Sequence, residues 1–297
     1  MQNTASGNEI AKQPRFLILG GDERLSELAV LYRHNGNDIC TYGMDQKCIE
    51  GILNYGSFEE ALDKSDIIIC PVPFSKDVTK INTKYSGKDI YIEELFAKLR
   101  HDQVLLVGAI NNYSRELARK LGVNYIDYYN EESYQILNTI PTAEGALAII
   151  INETAKTLFE SKVLVLGYGR IGKLLSKYLN SLGAHTFVEA RKESDLTWIY
   201  AKRMEAVPLW ELERYIGEMD IIVNTVPALI LDSNMLEKVR TDVFILDLAS
   251  TPGGVDFKYA EEKKLKVMHA LGIPGKVACK SAAMYIYETI QKILKNM

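Results

Sequence analysis

The sequence predicts an α/β protein: two doubly wound, parallel-sheet domains with a cleft between them. Three observations carry this reading. Short apolar runs alternate with amphipathic, helix-like stretches along the chain, the pattern of a parallel sheet covered on both faces. Residues Lys162–Ala190 contain a strand, a glycine turn, a helix and a second strand in direct succession. Arg15–Tyr42 opens with the same order, so the unit occurs twice.

Bulk properties leave room for two cores and exclude several classes. At 297 residues, with 47% hydrophobic and 25% charged content, the chain reads as an ordinary globular protein. Its formal net charge of -4 supplies no basic field, so no nucleic-acid or membrane partner is expected. No apolar run approaches the ~18 residues of a bilayer span. Met1–Pro14 is polar and reads as a tail (1–14). Cys40, Cys48, Cys70 and Cys279 form no CxxC pair and the histidines are scattered. Reduced thiols in a cytoplasmic protein without a metal site are the expectation.

The first domain is expected at 15–140, completed by a closing helix in 282–297. Arg15–Leu19 reads as a strand, Gly20-Gly21-Asp22 as its turn, Glu23–His34 as a helix and Asp38–Tyr42 as the next strand. Asp22 is a good N-cap and would repel a phosphate, so this half is read as lacking a dinucleotide of its own. Arg24 on the first turn is suited either to a carboxylate ligand or to a solvated surface. A helix at Ser57–Lys64 and a strand at Asp66–Cys70 follow; Pro71-Val72-Pro73 then leads the chain out of the sheet, with Ser75 in the exit loop. Such exits at strand C-termini are where open α/β sheets carry ligand loops. A helix at Tyr91–Arg100, a strand at Gln103–Val107, a helix at Ser114–Leu121 and a strand at Asn124–Asp127 bring the count to about five strands. Tyr128–Ile140 reads as an irregular connection.

The second domain is expected at 141–281. Thr142, Glu144 and Gly145 look like the start of a helix over Ala146–Phe159, and the same residues are candidates for ligand contact. After the glycine turn come helices near Leu196–Met204 and Trp210–Ile216, and a strand at Asp220–Asn224 with Thr225-Val226-Pro227 as its exit. A helix at Asn234–Val239, a strand at Val243–Leu248 and a short strand ending at His269 follow. Leu271–Lys276 reads as a loop. Ala282–Lys295 is a helix expected to pack back on the first domain.

Within the glycine turn, Val163–Leu166 leads into Gly167-Tyr168-Gly169-Arg170-Ile171-Gly172, in the context that a Rossmann-type dinucleotide fingerprint requires. Gly167 allows the tight turn, Gly169 lets a pyrophosphate approach the backbone, and Gly172 lets the helix lie close to the strand. Counting ~18 residues past the last glycine reaches Ala190, where NAD sites usually carry an acid. Here a small residue precedes Arg191, Lys192 and Ser194, which offers a 2′-phosphate room, charge and hydrogen bonds. Glu189 falls one position early and, by strand alternation, should point to the other face. NADP is therefore favoured, with NAD as the alternative. Asn224, Thr225, Val226, Pro227, Leu248, Ala249 and Ser250 stand at strand ends and are expected to border the nicotinamide ribose.

The segments GGDER (Gly20–Arg24), IPTAEGAL (Ile140–Leu147), VLVLGYGRIGK (Val163–Lys173), EAR (Glu189–Arg191), NTVPA (Asn224–Ala228), the DLAS and PGG of Asp247–Gly254, and ALGIPGKVA (Ala270–Ala278) together resemble the family of dipicolinate synthase A subunits. The resemblance runs from about Arg15 over nearly the whole chain; Cys279 departs from it, standing where the family pattern has proline. It implies an NADP-dependent oxidoreductase of endospore formation in the mother-cell cytoplasm. That enzyme would convert 4-hydroxy-tetrahydrodipicolinate, a small dicarboxylate, to dipicolinate by dehydration and hydride removal. It would work with the flavoprotein-like B subunit of dipicolinate synthase and, we expect, as a homo-oligomer. For that chemistry Arg24 and Lys276, with the backbone N–H groups of Gly20, Gly21 and Gly275, are candidate carboxylate clamps, and Ser75 and Thr142 candidate substrate contacts. Glu144 or His269 could move the proton. Two rival readings stay open: a D-2-hydroxyacid-dehydrogenase-like enzyme, and a non-catalytic NADP-sensing module.

Overall fold

The structure is a computed structural model that describes residues 13–47 and 49–297. The expected tail, apart from Gln13 and Pro14, and Cys48 lie outside these residues. The chain divides into two compact units, one of residues up to Tyr134 with Cys279–Met297, the other Gln135–Ala278. Each contains a six-stranded sheet, and every strand pair is parallel.

The first unit runs β1 (Arg15–Leu19), α1 (Glu23–His34), β2 (Asp38–Tyr42), β3 (Leu53–Asn54), α2 (Phe58–Asp63), β4 (Ile67–Ile69), α3 (Ile92–Lys98), β5 (Val104–Val107), α4 (Asn112–Leu121) and β6 (Ile126–Asp127). Its strand order is β3-β2-β1-β4-β5-β6, so the order reverses between β1 and β4. The sheet has six strands rather than about five, because β3 is two residues long and too short to show a period. Apolar side chains fill both faces: Leu17, Leu19 and Ile68 on one, Phe16, Ile18 and Ile69 on the other. Continuous apolar strands are what a sheet buried on both faces requires.

The expected irregular connection is instead largely helical. A 3₁₀ turn at Tyr128–Asn130 leads to α5 (Glu132–Leu137) and, after Asn138 alone, to α6 (Thr139–Glu153). Pro141 accounts for the difference. It sits in the first turn of α6, where a missing N–H costs nothing, so the helix starts seven residues before the expected Ala146 and ends at Glu153 rather than Phe159.

The second unit continues with β7 (Lys162–Leu166), α7 (Arg170–Ser181), β8 (His185–Ala190), α8 (Glu193–Ala201), β9 (Glu205–Pro208), α9 (Leu212–Tyr215), β10 (Ile221–Asn224), α10 (Ser233–Leu236), β11 (Phe244–Asp247), α11 (Phe257–Glu262), β12 (Lys266–His269) and α12 (Ile273–Val277). Its order, β12-β11-β10-β7-β8-β9, reverses between β7 and β10. Strand β9 and helix α11 were not expected from the sequence. The expected loop Leu271–Lys276 closes instead as α12, with Gly272 in the left-handed region (φ 66°) ahead of it and Pro274 in its first turn. An added Cβ on Gly145 would stand 3.0 Å from Val277 Cγ2, so α6 and α12 touch where only glycine fits.

The last helix, α13 (Cys279–Lys295), begins at Cys279. It buries Ala283, Ile286, Ile290 and Ile293 in the same cluster as Leu25, Leu28, Ala29 and Tyr32 of α1. Tyr287 meets the Tyr32 ring edge-on at 4.9 Å. At about 1.5–3 kcal/mol for a fully buried aliphatic side chain, these contacts are a large share of the first unit's core. No helix among the described residues is long and apolar enough to cross a membrane. Cys40, Cys70 and Cys279 are free thiols.

Candidate functional site

In the first unit the crevice between β1 and β4 is occupied by the protein itself. Asp22 caps α1 by accepting from the Arg24 backbone N–H. The Arg24 guanidinium returns to the same carboxylate, Nη2 to Oδ2 at 2.7 Å and Nε to Oδ1 at 3.0 Å. It also donates to the carbonyl oxygen of Val72 in the loop after β4. Arg24 is only 6% exposed, so this is a buried pair with its counter-charge in place. The expectation of a carboxylate clamp is corrected accordingly: the charge is already matched. The Gly20 and Gly21 N–H groups are engaged as well, donating to the Tyr42 and Asn82 carbonyls at 2.8 and 2.9 Å. An added Cβ at Gly21 would meet Leu25 Cβ at 2.6 Å, so this glycine serves packing rather than ligand approach. Ser75 keeps a buried Oγ with no hydrogen-bond partner among the described residues.

In the second unit the matching crevice, between β7 and β10, is open. A cavity of about 590 Å³ is lined by Gly167, Tyr168, Gly169 and Lys173 of the glycine turn and α7. Ala190 ends β8 and Arg191, Lys192 and Asp195 follow it, Leu209 follows β9, and Thr225–Ala228 with Ile230 follow β10. Glu189 completes the lining. The turn is shaped from both sides. Gly167 has φ 91°, and an added Cβ would meet Val226 Cγ2 at 2.6 Å and Thr225 Oγ1 at 2.8 Å. Thr225 anchors the strand end by giving both its N–H and its Oγ1–H to the Leu166 carbonyl, at 3.0 and 2.8 Å. Gly172 sits under the turn, where its Cβ would lie 3.0 Å from the Gly167 carbonyl carbon and closer still to its oxygen. A Cβ at Gly169 would meet nothing within 4 Å, so open space faces the loop where a phosphate would approach. Helix α7, twelve residues long, starts at this point with its first amides unsatisfied by the helix itself.

The remaining fingerprint and strand-end candidates divide into lining and support. Arg170 and Ser194 are exposed at the starts of α7 and α8, and Ile171 packs partly on the core. Arg191 and Lys192 are exposed at the cavity. Tyr168 is buried, and its hydroxyl accepts from Lys202 Nζ at 3.0 Å. Asn224 is wholly buried, which corrects its expected place beside a ribose. Its Nδ2 donates to Asp247 Oδ1 at 2.8 Å and to the Val226 carbonyl, and its Oδ1 accepts from Val226 N–H. Asp247 in turn accepts from the Ala249 and Gly254 amides at 3.0 and 2.8 Å. Leu248 and Ala249 are buried in this loop, and Ser250 is exposed. The Asn224–Asp247 pair therefore shapes both loops from beneath.

Glu189 is where the sequence said least. Alternation holds, since Glu189 stands opposite Leu166 on the face away from Ala190, yet its Oε2 accepts from Gly167 N–H at 3.0 Å and the residue is 2% exposed. Burial pushes its carboxyl above the ordinary glutamate range, against the opposing pull of the Gly167 N–H and the Arg191 charge. The signal was a lone acid in the otherwise apolar end of HTFVEA. Of the catalytic candidates, Glu144 and Lys276 are exposed on α6 and α12. His269 is committed: its Nε2 lies 2.8 Å from the Ala249 carbonyl oxygen, and its ring stacks on Phe257 at 5.3 Å. That ties β12 to the loop after β11. Thr142 does not cap the helix; its Oγ1 donates to the Asn138 carbonyl at 2.8 Å from within the first turn of α6. Gly275 is buried in α12.

Comparison with known proteins gives these features a context. The family described as the N-terminal domain of the dipicolinate synthase A subunit matches residues 15–129, and the one described as shikimate / quinate 5-dehydrogenase matches 150–270. The chain is 30% identical over 286 residues to the dipicolinate synthase A subunit of Bacillus subtilis (strain 168), covering 95% of this chain and 96% of that one. The crystal structure of the dipicolinate synthase A subunit from Bacillus halodurans superposes with a TM-score of 0.87 at 30% identity, over 95% of this chain and 97% of that one. A transhydrogenase from Sinorhizobium meliloti shares the fold, with a TM-score of 0.67 at 13% identity over 95% of this chain and 94% of that one. Two parallel six-stranded sheets, an open glycine-turn cavity in the second, and a relative similar from end to end lead to one assignment: the chain belongs to the family of dipicolinate synthase A subunits.

Proposed function

We propose that the protein is an NADP-dependent dehydrogenase that forms dipicolinate (pyridine-2,6-dicarboxylate) from 4-hydroxy-tetrahydrodipicolinate by loss of water and two hydrogens. The observation that carries the reading is the cavity over the glycine turn. Its residues fit a dinucleotide: a turn with open space at Gly169, a helix start behind it, and cations at the far end of β8. When bound, the nicotinamide supplies the hydride acceptor. The protein's own part is orientation and proton handling, since aromatisation of the ring drives the step. In this reading Lys276 takes a substrate carboxylate and Glu144 moves the proton of the dehydration; both side chains are exposed.

NADP is preferred to NAD because the acid in the cavity, Glu189, is turned to the Gly167 amide, while Arg191 and Lys192 stay exposed where a 2′-phosphate would come. Arg191→Ala is expected to weaken NADP+ binding by roughly ten- to a hundredfold and NAD+ binding little, on the scale of a charge-assisted hydrogen-bond pair. Titration with each nucleotide checks this, and equal losses would reverse the preference. Further parts of the proposal are action alongside the flavoprotein-like B subunit, assembly as a homo-oligomer, and a place in the cytoplasm of a spore-forming mother cell. The direct test is incubation with the hydroxy-tetrahydrodipicolinate and NADP+, with and without the B subunit, following dipicolinate absorbance and NADPH together. Appearance of both in equal amounts is expected. NADPH without dipicolinate would point to another substrate, and neither product, with nucleotide still bound, to a sensing module.

A further inference from the structure

Glu189 brings a carboxylate to the cavity from the end of β8. It stands opposite Leu166 in the β7–β8 ladder and reaches the first amide beyond β7. Only one of its oxygens is taken up by that amide, and the residue borders the cavity into which a dinucleotide's phosphates would come. The other charged groups around that cavity are Arg191 and Lys192 after β8, Lys173 on α7 and Asp195 on α8. The flanking strand neighbours Leu166 and Val207 are apolar, and Thr225–Ala228 bring no ionisable side chain.

We propose that Glu189 is a positioning residue that holds the glycine turn through Gly167 and takes up a proton when a dinucleotide binds, so that nucleotide affinity falls as the solution becomes more alkaline. The proposal rests on the dinucleotide reading of this cavity. Its chemistry balances simply. In the free protein the ionised carboxylate accepts from Gly167 N–H. An arriving polyanion raises the energy of a second negative charge, and a proton from solvent joins the other oxygen. The protonated group still accepts from Gly167 through its carbonyl oxygen, and it gains an O–H to offer the ligand. Burial favours the neutral form of this carboxyl, in the same sense as the approaching phosphates would. The complex then holds this proton to a higher pH than the free protein does. Affinity is fullest below the free-protein value and declines as pH rises through the interval between the two.

The test is calorimetric titration of NADP+ between pH 5.5 and 8, in buffers of different ionisation heat, on the wild type and Glu189→Gln. Glutamine keeps an acceptor for Gly167 and carries no charge. The expected result is proton uptake by the wild type within this pH range and none beyond background by Glu189→Gln. The variant should also bind tighter at pH 8 by up to about tenfold, the effect of one pKa unit of coupling. Glu189→Ala, lacking the acceptor, should bind more weakly at every pH. If Glu189→Gln loses its far-ultraviolet circular dichroism, the wild-type proton count followed across pH 7 to 8 decides, since the 2′-phosphate, with a pKa of about 6, is then largely ionised. Binding with no proton uptake, or equal uptake in both proteins, overturns the inference and leaves the cofactor reading standing. Failure of the wild type to bind NADP+ or NAD+ at any pH overturns both.

Discussion

Gly172→Ala is expected to abolish nucleotide binding and to lower the stability of the second unit by about 1–3 kcal/mol, the range for overpacking a close contact. The added methyl would press on the backbone carbonyl of Gly167, 3.0 Å from its carbon, and backbone cannot rotate out of the way as a side chain can. Relief requires α7 to move off the sheet or the turn to open, and either displaces the amides that would meet the phosphates. Gly169→Ala makes the contrast. Its φ of -77° suits any residue and its Cβ would meet nothing within 4 Å, so folding should be untouched. The methyl would project into ligand space, and binding alone should weaken. Urea unfolding and NADP+ titration of the two variants give the comparison. Equal stability of Gly172→Ala and wild type would refute the packing account.

Asp247→Ala should cost more, about 3–5 kcal/mol. The carboxylate is wholly buried and accepts from Asn224 Nδ2 and from the Ala249 and Gly254 amides. Truncation leaves those two main-chain donors without a partner, at about 1–3 kcal/mol each, and frees Asn224 from its charged neighbour. Asn224 in turn sets Val226, which borders the cavity. Nucleotide affinity should therefore fall together with stability, although Asp247 itself does not line the cavity. Asp247→Asn, which keeps an acceptor but turns an amide group toward a donor, should be intermediate. A loss under about 1 kcal/mol in Asp247→Ala would mean that the loops hold their shape by other contacts.

These two sites also mark what could be read in advance. The glycine turn was legible because its constraints are local: positive φ at Gly167, clearance at Gly172, open space at Gly169, each fixed by residues close in sequence. Fold class was legible for a similar reason, since strands buried on both faces must be apolar throughout. Alternation set the face of Glu189, but its partner, the Gly167 amide, belongs to a turn beyond the ladder that strand periodicity does not describe. Arg24 read equally as a carboxylate clamp or a surface cation because the Val72 carbonyl that it meets lies 48 residues away. Leu271–Lys276 looked like a loop because proline and glycine are breakers in a helix interior, but Pro274 falls in a first turn, where proline is tolerated. Asn224 and Asp247 stood at strand ends as expected. Nothing in the sequence distinguished touching a ligand from holding the loop that does.

The return of α13 to α1 has a consequence for synthesis. Ile286, Ile290 and Ile293 leave the ribosome only after the whole of Gln135–Ala278 has emerged. Until then the side of Leu25, Leu28 and Tyr32 that α13 covers stays open, and the first unit to begin is the last to be finished. The second unit, continuous in sequence, can mature while its predecessor waits as an incomplete, sticky intermediate, the kind of nascent species that chaperones attend.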